Sequence, residues 1–267
     1  MASMMKQLIV TADDFGAARE VNDAVEQAHR GGILTAASLM VSAPAAADAV
    51  ARAKTMPNLR VGLHLTLVDD RPTLPAAQIE GLVDSEGMFR SDMARAGAAM
   101  FFLPGVRKQL ATEIEAQFKA FAATGLTLDH VNTHKHFHLH PTIASLMMKI
   151  GARYGMTATR VPFETNNPFA QYLRRSYRAK GMTVADRVYG LKWSGAMTTE
   201  RLGAILDVLP DGLSEIYMHP ATGPYPGSAE GYRYPEEIEA LTDIQILEKI
   251  KSSNIVCGGF ADFAHAP

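Results

Sequence analysis

Short apolar runs alternate with amphipathic segments along the whole chain of 267 residues. The first run, Leu8 to Val10, is followed by a turn signal, which is typical of a buried strand. Residues 18–30 then repeat apolar side chains at helical spacing and stop at Gly31-Gly32. Seven or eight such strand-then-helix units follow one another without a linker or a repeat. Because parallel strands need crossover connections, this order predicts an α/β fold with outer helices. The number of units favours a closed or nearly closed (β/α) barrel over an open sheet.

The alternation also predicts where the elements lie and where it is interrupted. The predicted strands cover residues 7–12, 33–41, 59–67, 128–132, 157–161, 188–191, 214–218 and 254–258. The predicted helices cover residues 18–30, 44–54, 106–123, 141–154, 168–180, 198–208 and 235–251. Residues 68–105 break the rhythm with several Pro and Gly turn signals. We therefore expect a single domain, residues 1–267, with an irregular insertion at about 68–105 and with residues 1–4 outside the fold.

Composition excludes several classes of protein. The formal net charge is -2 and the sequence pI is about 6.5, so there is no electrostatic signal for nucleic acid. The one cysteine, Cys257, cannot form an internal disulfide or a cysteine-based zinc cage. No stretch approaches the roughly 20 apolar residues of a spanning helix, and the start lacks the apolar segment of a signal peptide. We expect a cytoplasmic protein with at most peripheral membrane contact, and a homo-oligomer stays open.

Ionisable residues follow four of the predicted strands. Asp13 and Asp14 end the first strand, His64 lies near the end of the third, and His134 and His219 follow two later strands. In parallel barrels the working residues sit at the carboxyl ends of the strands. The sequence therefore predicts one site that these residues share.

The donor types at this rim suggest a metal-assisted hydrolase. One carboxylate and two imidazoles can hold a divalent ion and leave coordination positions open. Zinc or magnesium is the first expectation, with Mn, Co and Fe as alternatives. Such an ion lowers the pKa of bound water toward about 7. The second aspartate could accept a proton and His219 could protonate a leaving group. The alternatives are a helix cap for the aspartate pair, a core histidine for His64, and packing beside Pro220 for His219.

A histidine cluster stands between residues 134 and 140. Histidines occupy every second position, His134, His136, His138 and His140. In an extended strand all four would share a face, whereas in a helix His134 and His138 would act as an i, i+4 pair. Because Pro141 is predicted to begin a helix, we favour His134 as the ligand. His136 and His138 are then candidates for supporting the ligands or contacting substrate.

Four motifs resemble those of the YdjC-like carbohydrate deacetylases. They are Thr-Ala-Asp-Asp-Phe-Gly (11–16), Gly-Leu-His-Leu (62–65), Asn-Thr-His-Lys-His-Phe-His-Leu-His-Pro (132–141) and Tyr-Met-His-Pro (217–220). The resemblance spans nearly the whole chain, and the first and third motifs together are specific. It implies a barrel-like fold and divalent-metal removal of an N-acetyl group from an amino sugar, by hydrolysis of a linear amide C–N bond.

The resemblance also implies roles for individual residues. The metal ligands would be Asp14, His64 and His134, the general base Asp13, and His219 the late histidine of related deacetylases. The family usually has another residue where His140 stands, so His140 receives no role.

Within the family, the chain is most similar to the branch associated with hopanoid biosynthesis, called HpnK-like. The pointers are the run at 34–40, the form of the histidine cluster, and Phe-Phe-Leu-Pro at 101–104. This implies a substrate such as an N-acetylglucosaminyl hopanoid. The apolar stretch 93–105 is expected to lie beside the metal, where it would either bind lipid or pack the insertion onto the barrel.

Two other functions compete with deacetylation. A metal hydrolase could cleave another amide or a phosphoester, although no Arg/Lys cradle is obvious from sequence. A non-catalytic metal- or sugar-binding barrel is the second alternative. The adjacent Asp13 and Asp14 argue against it, because binding alone would need only one of them.

Overall fold

One parallel sheet organises the protein, which is described here by a computed structural model that covers residues 5–164 and 167–264. In this part of the chain the sheet has seven strands, in the order β4-β3-β2-β1-β6-β5, and β7 pairs with the start of β1. The strands are β1 (Lys6–Phe15), β2 (Ala36–Leu39), β3 (Arg60–Leu65), β4 (Val131–Thr133), β5 (Arg187–Tyr189), β6 (Gly212–Met218) and β7 (Ile255–Cys257). Every pairing is parallel, as predicted.

Helices connect successive strands and pack outside the sheet. They are α1 (Arg19–Gly31), α2 (Ala46–Ala53), α3 (Met93–Phe102), α4 (Pro104–Ala123), α5 (Pro141–Gly151), α6 (Pro168–Arg178), α7 (Thr199–Asp207), α8 (Tyr234–Thr242) and α9 (Ile244–Ser252). The long helix α4 follows from its apolar spacing, because Leu110, Ile114, Phe118 and Phe121 are all buried on one face. The predicted barrel-like α/β fold is confirmed.

The barrel is nearly closed rather than continuous between β4 and β5. Residues 157–161, predicted as a strand, form only isolated bridges, Val131 with Thr159 and Ala158 with Thr183. The predicted strand is thus reduced to two bridges, because beyond Thr159 the Arg160 carbonyl accepts from His138 Nε2 at 2.8 Å instead of continuing the ladder. The two bridges still carry the sheet part of the way from β4 toward β5.

Alternation along β1 decides which side chains reach the barrel interior. Leu8, Val10 and Ala12 belong to the core between sheet and helices, whereas Ile9 belongs to a separate interior cluster with Tyr217 and Phe260. Because side chains alternate in a strand, Thr11 and Asp13 also point inward. The sequence therefore delivers one of its paired aspartates to the barrel axis.

Two further predictions about elements need correction. The insertion at 68–105 contains a ten-residue helix, α3, which begins where the Asp92 carboxylate accepts from Arg95 N at 3.0 Å. The predicted helix 235–251 is two helices, because Asp243 is extended and its side chain caps the start of α9. Among residues 5–164 and 167–264, no helix combines the length and apolar character needed to cross a membrane.

Candidate active site

Asp14, His64 and His134 come together at the carboxyl ends of β1, β3 and β4. Asp14 Oδ1 lies 3.2 Å from His64 Nε2 and 3.1 Å from His134 Nδ1. One ligand atom from each residue falls within 4.8 Å of the other two. Three separate strands thus place one carboxylate and two imidazoles around a common point.

The backbone at Asp14 aims its side chain at this point. Its φ of 61° lies in the left-handed region, which non-glycine residues adopt at an energetic cost. This conformation interrupts the alternation of side chains after Asp13. The Asp14 carboxylate therefore lies beside His64 and His134, whereas the Asp13 carboxylate lies beside Arg160.

The three side chains fit a divalent metal by their chemistry and their support. A carboxylate with two imidazoles is a common set for zinc and related ions. His64 Nδ1 is 2.6 Å from Asn132 Oδ1, which leaves Nε2 facing Asp14. Metal-binding histidines are usually oriented through their second nitrogen in this way.

Asp13 lies beside this group in a cage of hydrogen-bond donors. Its Oδ1 accepts from Ser38 Oγ at 2.9 Å, Asn132 Nδ2 at 3.0 Å and Arg160 Nη2 at 3.1 Å, and Arg160 Nη1 donates to Oδ2. Burial raises the pKa of Asp13, but the charge and hydrogen bonds of Arg160 together with His64 outweigh it and hold that pKa far below its usual range. Asp13 is therefore ionised at neutral pH.

Arg160 connects Asp13 to a second buried carboxylate. Its guanidinium contacts Glu215 Oε1 through Nε at 3.0 Å and Nη2 at 2.8 Å, and it lies 4.2 Å from the centre of the Tyr217 ring. Arg160 and Glu215 are both fully buried. One arginine thus pairs with two carboxylates inside the barrel.

Ser38, His130 and Asp129 have the spacing of a hydrolase triad. Ser38 Oγ is 2.9 Å from His130 Nε2, and His130 Nδ1 is 2.8 Å from Asp129 Oδ2. All three residues are buried, so no substrate can reach the serine. These contacts instead orient Ser38 so that its Oγ donates to Asp13 Oδ1. Gly62 is required here, since a Cβ at that position would lie 2.5 Å from the His130 ring.

His219 faces the same cavity from the end of β6. Its ring packs edge-on against Tyr232 at 5.4 Å and Tyr217 at 5.9 Å, and its buried Nδ1 has no hydrogen-bond partner in the described part of the chain. Burial lowers the pKa of His219, although Asp14 and Asp13 oppose this. The backbone N–H of His219 donates to Glu237 Oε2.

Glu237 is a buried carboxylate that holds two loops together. Its other oxygen accepts from Met197 N at 3.0 Å. Burial raises the pKa of Glu237 from its ordinary value of 4.5 to about 7, and the two backbone donors only partly oppose this. Since the folded protein holds this proton more tightly than the unfolded chain, the group stabilises the fold below pH 4.5. That stability is lost as the pH rises to about 7.

We predict that Glu237→Gln removes this pH dependence. Between pH 5 and pH 8 the wild-type free energy of unfolding should fall by roughly 2–3 kcal/mol more than that of the variant. Urea unfolding at both pH values gives the comparison, and the wild-type-minus-variant difference cancels the other titrating groups. A difference that does not change with pH would show that Glu237 is ionised when buried.

The rest of the histidine cluster forms a tight turn rather than a strand or a helix. Lys135 and His136 both have left-handed backbone, with φ of 52° and 54°. His136 lines the cavity, and its Nε2 is 2.9 Å from Tyr217 Oη. His138 is buried elsewhere, with Nδ1 on Thr133 Oγ1 and Nε2 on the Arg160 carbonyl, both at 2.8 Å. The structure therefore does not bring His138 to the metal position, and the i, i+4 alternative is wrong.

A cavity of about 600 Å³ opens over Asp13, Asp14 and the histidines. One wall comes from the Gly/Pro/Tyr loop after β6, which contributes Tyr225 and Tyr232, with Tyr234 behind them. The lining also includes Asp69, Asp70, Arg71 and Lys135. Lys135 is paired with Asp69, which leaves Arg71 as a single cation rather than a phosphate cradle.

Sequence reasoning missed several residues that hold the site together. They are Ser38, His130, Asn132, Arg160, Glu215 and Glu237. Asn132 stands inside the third motif and Ser38 inside the run at 34–40, so both could have been nominated by their neighbours. Arg160 and Glu215 had a different signal, a single charge within an otherwise apolar predicted strand.

The fold and the site define a barrel-like α/β protein with an Asp-His-His group suited to a metal. The chain belongs to the YdjC-like protein family, whose profile matches residues 7–252. It is 30% identical over 262 residues to a carbohydrate deacetylase of Brevibacillus brevis, covering 96% of this chain and 99% of that protein. It is 29% identical over 265 residues to one of Geobacillus stearothermophilus, covering 97% and 99%.

A solved structure is similar over the same length. This protein of Enterococcus faecalis V583, provisionally named a cellobiose-phosphate cleavage protein, superposes with a TM-score of 0.81. The alignment covers 98% of this chain and 100% of that one at 24% sequence identity. At this identity the likeness concerns the fold.

Proposed function

We propose that this protein is a metal-dependent carbohydrate deacetylase that hydrolyses the N-acetyl group of an amino sugar. The observation that carries the proposal is the Asp14, His64 and His134 group beside Asp13, on the floor of an open cavity. The full-length similarity to carbohydrate deacetylases supports the substrate class. We treat residues 1–267 as one YdjC-like domain, supported by the single sheet and the family match over 7–252.

In this proposal Asp14, His64 and His134 hold the metal, with zinc or magnesium as the first choices. A bound divalent ion supplies a water of lowered pKa and polarises the amide carbonyl. Asp13 accepts the proton of the attacking water, and His219 donates one to the departing amine. His136 contacts substrate from the cavity wall. Arg160, Asn132 and Ser38 fix the orientation of Asp13, because all its hydrogen bonds come from them.

Acetate release and metal content together test the proposal. Purified protein loaded with zinc should release acetate from N-acetylglucosamine conjugates, and chelation should abolish the activity. His64→Ala and His134→Ala should each lose bound metal, measured by elemental analysis, whereas His136→Ala keeps most of it. Metal retained in both ligand variants, or no acetate from any acetamido sugar, would contradict the proposal.

The proposed acid predicts a difference between substrates for His219→Ala. Loss of this proton donor should slow release of an amine, which leaves poorly without a proton, by about 10²-fold or more. An activated acetyl ester needs no such proton, so its turnover should change little. Equal losses on both substrates would leave His219 with a packing role against Tyr217 and Tyr232.

The particular substrate we propose is a lipid-linked amino sugar such as an N-acetylglucosaminyl hopanoid, as in the HpnK-like branch. This would place the protein in peripheral contact with the inner membrane surface. The supporting observation is that Phe101, Phe102 and Leu103 are exposed. The expectation that stretch 93–105 lies beside the metal needs correction, because none of the described residues lining the cavity comes from it. Helix α3 instead buries Ala96, Gly97 and Met100.

Phe102→Ser should therefore raise KM for a lipid-linked acetamido sugar and leave KM for the soluble sugar unchanged. Burial of apolar area is worth about 25 cal/mol per Å², so partial loss of one ring amounts to about a tenfold change. Presenting the lipid in neutral detergent micelles separates this effect from binding to charged membranes. Val208→Ser is the matched control, because Val208 is 71% exposed and Phe102 73%. Equal KM changes for both sugars would count against a lipid-linked substrate.

A further inference from the structure

Exposed apolar side chains concentrate on one part of the surface. In the described part of the chain, five of the ten exposed large apolar residues lie either at the junction of α3 and α4 or in the first half of α6. These five are Phe101, Phe102, Leu103, Phe169 and Tyr172. We call the surface formed by α3, α5, α6 and the start of α4 the aromatic face. A concentration of exposed apolar residues marks a binding surface more often than scattered ones do.

An apolar groove connects the two groups of aromatic residues. It has a volume of about 710 Å³ and runs between α5 and α6, where Leu139, Met148, Tyr172 and Met182 contribute to its walls. At its near end, Pro141 also lines the groove, and the preceding residue, His140, packs edge-on against Phe101 at 6.2 Å. Phe101 in turn contacts Phe102 at 4.9 Å. The aromatic face is therefore continuous from α3 to α6.

The apolar part of this face lies at the active-site end of the barrel. Helices of this fold begin near the carboxyl ends of the strands, and Leu103 directly precedes α4 while Phe169 is the second residue of α6. The turn at 134–139 separates the groove from the cavity. His136 lines the cavity on one side of this turn, and Leu139 lines the groove on the other.

The segments that form the aromatic face contribute only positively charged side chains. Residues 93–112, 141–153 and 168–180 contain nine Lys and Arg and no Asp or Glu, although the whole chain has 26 and 28. Some of these cations are paired with carboxylates of other segments, such as Arg153 with Glu115. Six exposed ones have no ion-pair partner among the described residues. These are Arg95, Arg107, Lys108, Lys149, Arg175 and Lys180.

We infer that the aromatic face docks onto an anionic phospholipid bilayer. Phe102 and Tyr172, 73% and 65% exposed, enter the headgroup region, and unpaired cations such as Arg107 and Lys108 face lipid phosphates. Aromatic anchors combined with basic side chains are the pattern of interfacial membrane binding. A nucleic acid would match the charge but would not need an apolar groove. The inference deepens the membrane contact that the proposed function includes, and its test is independent of deacetylation because vesicle binding is measured without substrate.

Vesicle co-sedimentation of the full chain tests this inference. Wild-type protein should bind vesicles of phosphatidylcholine with 30% phosphatidylglycerol, bind pure phosphatidylcholine weakly, and dissociate as NaCl rises from 50 to 500 mM. Phe102→Ser with Tyr172→Ser should weaken binding to the anionic vesicles at least tenfold. Lys108→Gln with Lys180→Gln should weaken it about fivefold per charge removed, and neither side chain has a hydrogen bond to the aromatic anchors among the described residues.

The control is Val208→Ser with Ile244→Ser, which removes two equally exposed apolar side chains, 71% and 63%, from other elements. This variant should bind like the wild type, and thermal melts should show all variants folded. No binding of wild-type protein to the anionic vesicles would overturn the inference. An equal loss of vesicle binding in the control variant would also overturn it. So would binding to the soluble polyanion heparin, if it is as tight as binding to the vesicles and Phe102→Ser does not weaken it.

Discussion

Asp14→Asn should lose bound metal, whereas Asp13→Asn should keep the metal and lose turnover. Asp14 Oδ1 is the atom that both histidines approach, at 3.2 and 3.1 Å, so removing its charge removes the attraction that holds a cation there. Asp13 is turned toward Arg160 and Asn132. Metal content and kcat, measured on the same preparations, separate the two roles.

The expected loss for Asp13→Asn lies near the low end of the range for a general base. A general base typically accelerates the reaction by 10²–10⁴-fold, and a base of very low pKa gives little driving force for proton transfer. Because Arg160 holds the pKa of Asp13 far below its usual range, we expect about a 10²-fold loss in kcat. The amide NH₂ of Asp13→Asn would also face an N–H donor of Arg160, which should destabilise the fold. The assay is therefore run at low temperature, and circular dichroism checks that the variant is folded. Equal metal loss in both variants would contradict these separate roles for Asp13 and Asp14.

The parts of the fold that the sequence predicted are those set by repeated local patterns. The apolar run at Leu8–Val10 and the helical spacing of α4 each need only neighbours along the chain to be recognised. Their alternation fixed the parallel sheet, and the parallel sheet placed Asp14, His64 and His134 at one edge. Convergence of these residues follows from topology and needed no knowledge of side-chain contacts.

The errors lie where a single residue decides between local conformations. The Arg160 carbonyl accepts from His138 and does not continue the bridges at 158–159, and Asp243 divides α8 from α9. The histidine cluster shows the same limit, because left-handed backbone at Lys135 and His136 turns the chain in a way that spacing alone does not reveal. Such conformations are held by tertiary contacts, here the pairing of Lys135 with Asp69 and His138 with the Arg160 carbonyl.

The support around Asp13 was missed for another reason. Arg160 and Glu215 lie 55 residues apart and each looks like an exposed charge when the chain is taken alone. Only the barrel brings them together, at a depth where neither would be tolerated without the other. The burial of Arg160 and Glu215 therefore appears only in the folded barrel, and its effect on the free energy of unfolding can be measured.

Arg160→Met should lower the free energy of unfolding by about 3–5 kcal/mol, the cost of leaving buried charges unpaired. Asp13 and Glu215 would then lose the guanidinium that pairs with both of them, and Tyr217 would lose the cation over its ring. Adding Glu215→Gln to Arg160→Met should restore part of the stability, because one orphaned charge is removed. Glu215→Gln alone keeps Arg160 paired with Asp13 and should cost less than Arg160→Met.

Urea unfolding of the three variants gives the double-mutant cycle. A loss below about 1 kcal/mol for Arg160→Met would mean that water reaches the pair. Because Asp14, His64 and His134 are unchanged in all three variants, metal content should remain unchanged, which separates the stability of the barrel interior from metal binding at its edge.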